Sequence, residues 1–364
     1  MAALSQVMET EEFEAEFAPL LSPMSPEEFP AADIGAAVFQ QKMVVDERGL
    51  DVGGGEILLL DTPNGDFQAY HLVRTLRDAI YGRVVSGCRV IPTEDPDRVR
   101  LDERAMVAVK MMSLQKIEEM RGRHAENPFN EIACMSFLHS QAGGHPHVLM
   151  YEALCRTQSH LFMIMPYCSG GELHSVIEEN GALEPERARA LFRQMTQGVE
   201  FLGRASVAHR DLSLENVLLH RRIEEERIAM LIDFGMALRI PRDKDGRCHW
   251  ISRQLRAGKL HYMSPEIISQ RPFDGSKIDV WALGVMLFIM LVGVPPWRMA
   301  DRRDQRYICV VSGELPRLLE HWGVRVPGDA VDLLKRIFVE DIETRISIPE
   351  ILRHPWYTGG LAGG

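Results

Sequence analysis

Two short clusters carry side chains that could hold metal ions and move a proton. The first is His209–Arg210–Asp211–Leu212–Ser213–Leu214–Glu215–Asn216, and Asp233–Phe234–Gly235 begins seventeen residues after its last member. Together they present a potential general base, Asp211, and two potential magnesium ligands, Asn216 and Asp233. An isolated His-Arg-Asp is more often a surface turn than a site. Two clusters in this order, each preceded by a hydrophobic run, argue for a site.

Positioning these groups needs a scaffold, and beyond residue 66 the pattern is strands first, then helices. Val73–Leu76, Ile80–Val85, Met106–Met112, Val148–Leu154 and Leu161–Met165 are apolar runs of strand length. A helical stretch ends in Phe129–Leu138, where Phe129, Ile132, Met135 and Leu138 fall along one side. From Ser169 onward the periodicity is mostly helical: Ala188–Leu202, Ile278–Val292, Ala330–Phe338 and Ile348–His354. Val217–Leu219 and Ala229–Ile232 interrupt it as β elements. The expected fold is α+β and two-lobed, a small sheet lobe and a larger helical lobe, with active-site loops where they meet.

At 364 residues and 46% apolar composition the chain fits a globular enzyme. No stretch reaches the apolar length of a membrane span, and the start lacks a secretory signal and a Gly at position 2. Six Cys without CxxC spacing read as reduced thiols, which points to a cytoplasmic or nucleocytoplasmic protein. Charge is uneven: residues 1–65 hold thirteen Asp or Glu against Lys42 and Arg48, about −11, the whole formal excess. With two Ser-Pro sites and glycines 53–55, residues 1–65 read as a disordered acidic extension. It is either a solvated leader or a docking and regulatory tail. Its sign gives no support for nucleic-acid binding.

From about Ala69 to Tyr357 the chain resembles the eukaryotic protein-kinase family. The resemblance rests on Val107–Ala108–Val109–Lys110, Glu131, Gly170–Gly171, the two clusters above, Ser264–Pro265–Glu266, Asp279–Val280–Trp281–Ala282–Leu283–Gly284 and Arg345. Pro272–Phe273–Asp274–Gly275 and Val294–Pro295–Pro296–Trp297 look like Ser/Thr kinases of the calcium/calmodulin-dependent and related groups. The implied layout is a kinase domain over 66–357, with a small lobe 66–165, a hinge 166–169, a large lobe 170–357 and a short tail 358–364. The implied cofactors are ATP and Mg2+, or Mn2+. By resemblance, Lys110 binds the α- and β-phosphates and Glu131 orients it. Leu76, Gly82, Val84, Ala108, Met165, Pro166, Cys168 and Leu218 surround the nucleotide. Asp211 orients a Ser or Thr hydroxyl, while Asn216 and Asp233 hold the metal. His209 packs with Phe234, Met135 and Tyr151, tied down by Asp279, and Glu266 pairs with Arg345.

Two departures from the family pattern stand out. The phosphate-covering hairpin reads Leu76–Arg77–Asp78–Ala79–Ile80–Tyr81–Gly82–Arg83–Val84, so only the third glycine of the family's three is present. Side chains at 77 and 79 restrict close approach to a nucleotide, and Asp78 could repel phosphate, so weaker ATP binding is expected. Ser213 stands where most Ser/Thr kinases have a lysine. The family's Gly-Thr-x-x-Tyr reads Gly258–Lys259–Leu260–His261–Tyr262, so either Lys259 projects into the vacated volume or it points to solvent.

Glu172 and Glu215 occupy positions that favour arginine near the target hydroxyl, whereas Ile308 stands where some such kinases carry a third acid. The implied partner is a protein with a Ser or Thr target, with an intramolecular contact of the acidic extension as a further possibility. At the usual activation-loop phosphorylation position stands Leu255, with Ser252 as the nearest alternative. A pseudokinase scaffold is the rival reading, and a small-molecule kinase a more distant one.

Overall fold

The computed structural model describes residues 24–61, 66–121, 123, 126–221, 227–245, 248–254 and 258–359. The chain divides into two compact units. One, Phe29–Glu179 with Leu214–Met236, is β-rich; the other, built from residues 24–28, 180–213 and 237–359, is mainly helical. The α+β class expected from the run of strands followed by helices is the one observed.

In the β-rich unit, strands β1 (Gly35–Val45), β2 (Asp51–Leu60), β3 (Gln68–Ala79), β4 (Gly82–Pro92) and β5 (Arg98–Ser113) precede helices α1 (Leu114–Glu119) and α2 (Pro128–Ala142). Strands β6 (Ala153–Arg156) and β7 (His160–Pro166) follow, and the sheet closes in the order β1-β2-β3-β4-β5-β7-β6. Closure comes from parallel pairing of β1 with β5 and β6. Val85, Val107, Val109, Phe162 and Ile164 are buried together with Leu58, Leu60 and Tyr70.

The expected disordered extension is corrected here for residues 35–60, which form β1 and β2. Their hydrophobic content explains it: Val44, Val45, Ile57, Leu58 and Leu60 are buried, and closing the sheet leaves fewer unpaired edges. Gly53–Gly55, read as a flexible run, are paired along β1, Gly54 opposite Met43. The strongly acidic stretch 9–16 lies outside the described residues, as do Ser22 and residues 360–364. Of the expected strand 148–154 only its end is strand. Val148 instead follows a turn from His145 and bridges Leu231.

Asn127 caps α2, its Oδ1 accepting from the Phe129 and Asn130 amides at 3.0 and 3.4 Å. Ile132, Met135 and Leu138 are buried as the spacing suggests, but Phe129 in the first turn is 46% exposed. Helix α3 (Leu173–Asn180) leads toward the helical unit, where α4 (Pro185–Arg204) is followed by β8 (Val207–Ala208). The β-rich unit also holds the hairpin of β9 (Val217–Arg221) and β10 (Arg227–Leu231), which delivers Asp233.

In the helical unit β11 (Leu238–Arg239) pairs with β8. Helices α5 (Pro265–Ile268), α6 (Gly275–Val292), α7 (Gln305–Cys309), α8 (Leu315–His321), α9 (Gly328–Ile337), α10 (Ile348–Ile351) and α11 (Pro355–Thr358) complete it. Helix α6 is apolar on all sides because it is the core: its residues from Ile278 to Leu291 are buried. By length and composition alone it could cross a membrane, yet 83% of it is buried within the protein.

Candidate functional site

The β-rich unit contains a cavity of about 330 Å³, large enough for a small cofactor and lined mainly by apolar side chains. Leu76, Val84, Ala108, Met165, Pro166, Cys168 and Leu218 line it, with Lys110, Glu131 and Asp233 supplying charge. Strand pairing sets this arrangement. Ala108 lies opposite Met165 on β5 and β7, and Val84 lies opposite Lys110 on β4 and β5.

Lys110 is 8% exposed and Glu131 4%, and the Lys110 Nζ donates to Glu131 Oε2 at 2.6 Å. Burial alone would lower the Lys110 pKa, but the carboxylates of Glu131, Asp233 and Glu126 outweigh it and raise it, so the ammonium is retained. Glu126, Glu131 and Asp233 bring carboxylate oxygens within 4.8 Å of one another. Such hard oxygen donors, with the carboxamide of buried Asn216, suit magnesium. The Asn216 backbone carbonyl accepts from the Ile232 amide at 3.0 Å, tying the segment that carries Asn216 to the one that carries Asp233. Asp233 takes a φ of +69°, a strained value for a non-glycine residue and one often seen at functional sites.

Gly82 does not line the cavity. It lies opposite Met112 on the neighbouring β5, and an added Cβ would come 2.0 Å from the Met111 carbonyl oxygen. The substituted positions of this hairpin differ: Arg77, Asp78 and Ala79 all have ordinary extended backbone, so their side chains cost no strain there. Arg77 turns sideways and pairs with Glu172 at 3.0 Å. Asp78 is absent from the cavity wall. The hairpin tip is tethered, for the buried Tyr81 donates its hydroxyl to the Glu126 carbonyl at 2.8 Å.

The helical unit holds the other set. Asp279, buried near the start of α6, accepts the amides of His209 and Arg210 at 2.7 and 3.0 Å. This bends the loop so that Arg210 sits at φ +66° immediately before Asp211. Burial pushes the Asp279 carboxyl up to about 7, although the two amides and the Arg210 charge pull the other way. Asp211, Gly258 and Lys259 line a small cavity of about 20 Å³. The Lys259 Nζ donates to the buried Ser213 Oγ at 2.9 Å. Gly258 is required on two counts: its φ is +92°, and a Cβ would lie 2.8 Å from Asp211 Oδ1. Below this loop, Arg345 grips Glu266 with two bonds of 2.7 and 3.0 Å, both side chains buried, and its guanidinium also stacks over Trp281.

Residues 97–357 match the protein kinase domain family. The chain belongs to that family. It is similar to the serine/threonine-protein kinase SAPK1 of Oryza sativa subsp. japonica, 35% identical over 222 residues, 60% of this chain and 61% of that one. An abscisic acid-inducible protein kinase of Triticum aestivum is 35% identical over 218 residues, 58% and 61% of the two chains. A putative sperm motility kinase W of Mus musculus is 30% identical over 288 residues, 79% of this chain and 50% of that one. The chain thus spans about three fifths of the length of the plant relatives and half of the mouse one.

The family match begins at residue 97, beyond the altered hairpin. Of the residues singled out from sequence, one set gathers in the β-rich unit: Lys110, Glu131, Asn216, Asp233 and the apolar cavity wall. Asp211, Ser213 and Lys259 gather in the helical unit. His209, Phe234 and Met135 are buried, whereas Tyr151 is half-buried and its hydroxyl bonds to Ser136. Leu255 and Arg256 lie outside the described residues. Glu126 escaped the sequence reading. It has no motif, and its only signal is its place just before the Asn127–Pro128 start of α2.

Proposed function

We propose that this kinase-family protein transfers the γ-phosphoryl group of ATP to Ser or Thr hydroxyls of protein substrates. One observation carries the reading: a buried Lys110–Glu131 ion pair stands beside Asp233 at the charged end of an apolar cavity. Bound magnesium would supply positive charge against the phosphates. Asp233 and Asn216 would hold it, with Glu126 near enough to Asp233 to join them. Lys110 orients the phosphates, Glu131 holds Lys110, and Asp211 orients the hydroxyl that attacks.

In this reading Lys259 supplies the positive charge that the catalytic loop lacks at Ser213, a role supported by their 2.9 Å hydrogen bond. The preferred target lies near basic residues, through Glu215 and, in competition with Arg77, Glu172. Within the family, Pro272–Gly275 and Val294–Trp297 favour kinship with calcium/calmodulin-dependent and related kinases. The free cysteines favour a cytoplasmic or nucleocytoplasmic setting.

The test is phosphate transfer from ATP, with magnesium and with manganese, to an arginine-containing Ser/Thr peptide library. Transfer by the wild type and its loss in Asp211→Asn, with nucleotide binding retained, is the expected result. Nucleotide binding with no transfer to any substrate would favour a pseudokinase, a reading supported by the Arg77–Glu172 pair at the cavity mouth. Transfer to tyrosine alone would overturn the specificity.

A further inference from the structure

Residues 24–28 of the acidic extension pack within the helical unit. Met24 donates its amide to the Trp250 carbonyl at 2.9 Å, and its carbonyl accepts from the Ser252 amide at 2.8 Å. These are the bonds of a parallel β-bridge to Ile251. On the other side, Ile251 exchanges two backbone bonds with Phe273, at 2.8 and 3.1 Å, so it is the middle of three pieces of chain joined by single β-bridges. Ile251 and Phe273 are both fully buried. Three residues beyond Met24, Glu27 bridges Arg239 antiparallel, and its carboxylate meets the Arg239 guanidinium at 2.8 Å. Arg239 also donates to the Glu28 carbonyl at 3.0 Å.

Arg239 and Ile251 belong to the two limbs of one segment, the stretch from Asp233 to Glu266, which by the family pattern is the activation segment. The first limb continues from β11, whose partner β8 runs directly into His209 and Asp211. The second leads to Gly258 and Lys259. A five-residue piece of chain, Met24 to Glu28, therefore ties together the strands that lead to both halves of the hydroxyl-side site. Its chemistry suits the position. The extended backbone caps amide and carbonyl groups at the edge beside Ile251, and the carboxylate answers a cation on the opposite limb.

We propose that Met24–Glu28 is a built-in strap that orders the activation segment, with Glu27 on Arg239 as its ionic catch, so that the segment is set without a phosphate on its own residues. The position where the family pattern puts the phosphorylated residue is Leu255, which has no hydroxyl to modify. The strap makes the extension a positive element of the catalytic unit. It thereby deepens the kinase reading, but its test does not depend on turnover.

Amide hydrogen exchange of the full chain, without nucleotide or substrate, gives that test. Glu27→Arg should raise exchange in residues 248–254 and 238–240 several-fold, and leave β4, β5 and α2 unchanged. Met24→Pro, which removes the amide donor to Trp250, should act on 248–254 in the same way. The reversed pair Glu27→Arg with Arg239→Glu should return protection toward the wild-type level, an outcome that loss of folding in a single variant cannot imitate. In parallel transfer assays, activity should fall and recover with protection. Unchanged exchange in both single variants, or no recovery in the reversed pair, overturns the strap. Greater transfer by Glu27→Arg would make the contact inhibitory and equally overturn it. Absent activity throughout, with the exchange pattern as expected, would count against the kinase reading and leave the strap standing.

Discussion

The apolar cavity of the β-rich unit and the loop that carries Asp211 each depart from the family pattern, and they absorb the change differently. At the cavity, the loss is of glycine. Arg77 and Ala79 replace it on a hairpin whose backbone there is ordinary strand, so nothing is strained, and the Arg77 charge is spent on Glu172 at the surface. The buried charge deeper in, Lys110 against Glu131, is untouched. At the loop that carries Asp211, the loss is of a lysine, and Lys259, forty-six residues on from Ser213, brings its ammonium to the Ser213 hydroxyl. Backbone freedom is dispensable where the local fold never uses it. On the proposed function, charge beside Asp211 is not dispensable, and Lys259 supplies it from another position.

The largest expected effect probes the part of the cavity that did not change. Lys110→Met should cut transfer by about 10²–10³-fold, the scale of removing one fixed counter-charge from a developing anion. It should also lower stability, because Glu131 is left buried without its cation. Single-turnover transfer beside thermal unfolding separates the two. Activity near wild type would mean that the buried pair is architectural only.

Burial should sort the ion pairs next. Arg345→Met leaves Glu266 in the core and should cost about 3–5 kcal/mol in denaturant unfolding. Arg77→Ala breaks a pair whose side chains are 48% and 30% exposed, where solvent screening leaves about 0–1 kcal/mol. Similar losses in the two variants would contradict the comparison.

A smaller and more specific effect concerns pH. The Asp279 carboxyl, pushed up to about 7 by burial, holds its proton in the folded protein over a range where the unfolded chain has released it. Its contribution is therefore fully present below about 4, the carboxyl's ordinary value, and declines as pH rises through the folded value of about 7, above which it is flat. The stability difference between wild type and Asp279→Asn should follow that decline. A difference that grows with pH over the same window would show that the two amides and Arg210 dominate instead.

Much of this was legible in the chain because motif spacing is local. Asp211, Asn216 and Asp233 lie within twenty-three residues, and Lys110 and Glu131 announce themselves by strand and helix context. The Glu266–Arg345 pair, although long-range, followed from the same family pattern. What escaped depends on pairing between distant segments. Strands β1 and β2 were hidden by averaging an acidic stretch with an apolar one, and their burial comes from pairing with distant strands, β2 with β3 and β1 with β5 and β6. Glu126 reaches Lys110 and Asp233 through the approach to α2, which no periodicity encodes. The direction of Arg77 was open from sequence because a side chain on a hairpin can face either way; Glu172, ninety-five residues on, decides it.

The relocated lysine is tested most directly by moving it back. Lys259→Thr alone should lower the transfer rate by about 10²–10³-fold with little change in nucleotide binding. Adding Ser213→Lys should then recover most of the loss, so that the double variant transfers far faster than Lys259→Thr. Full turnover by Lys259→Thr, or a double variant no faster than the single one, would contradict the account.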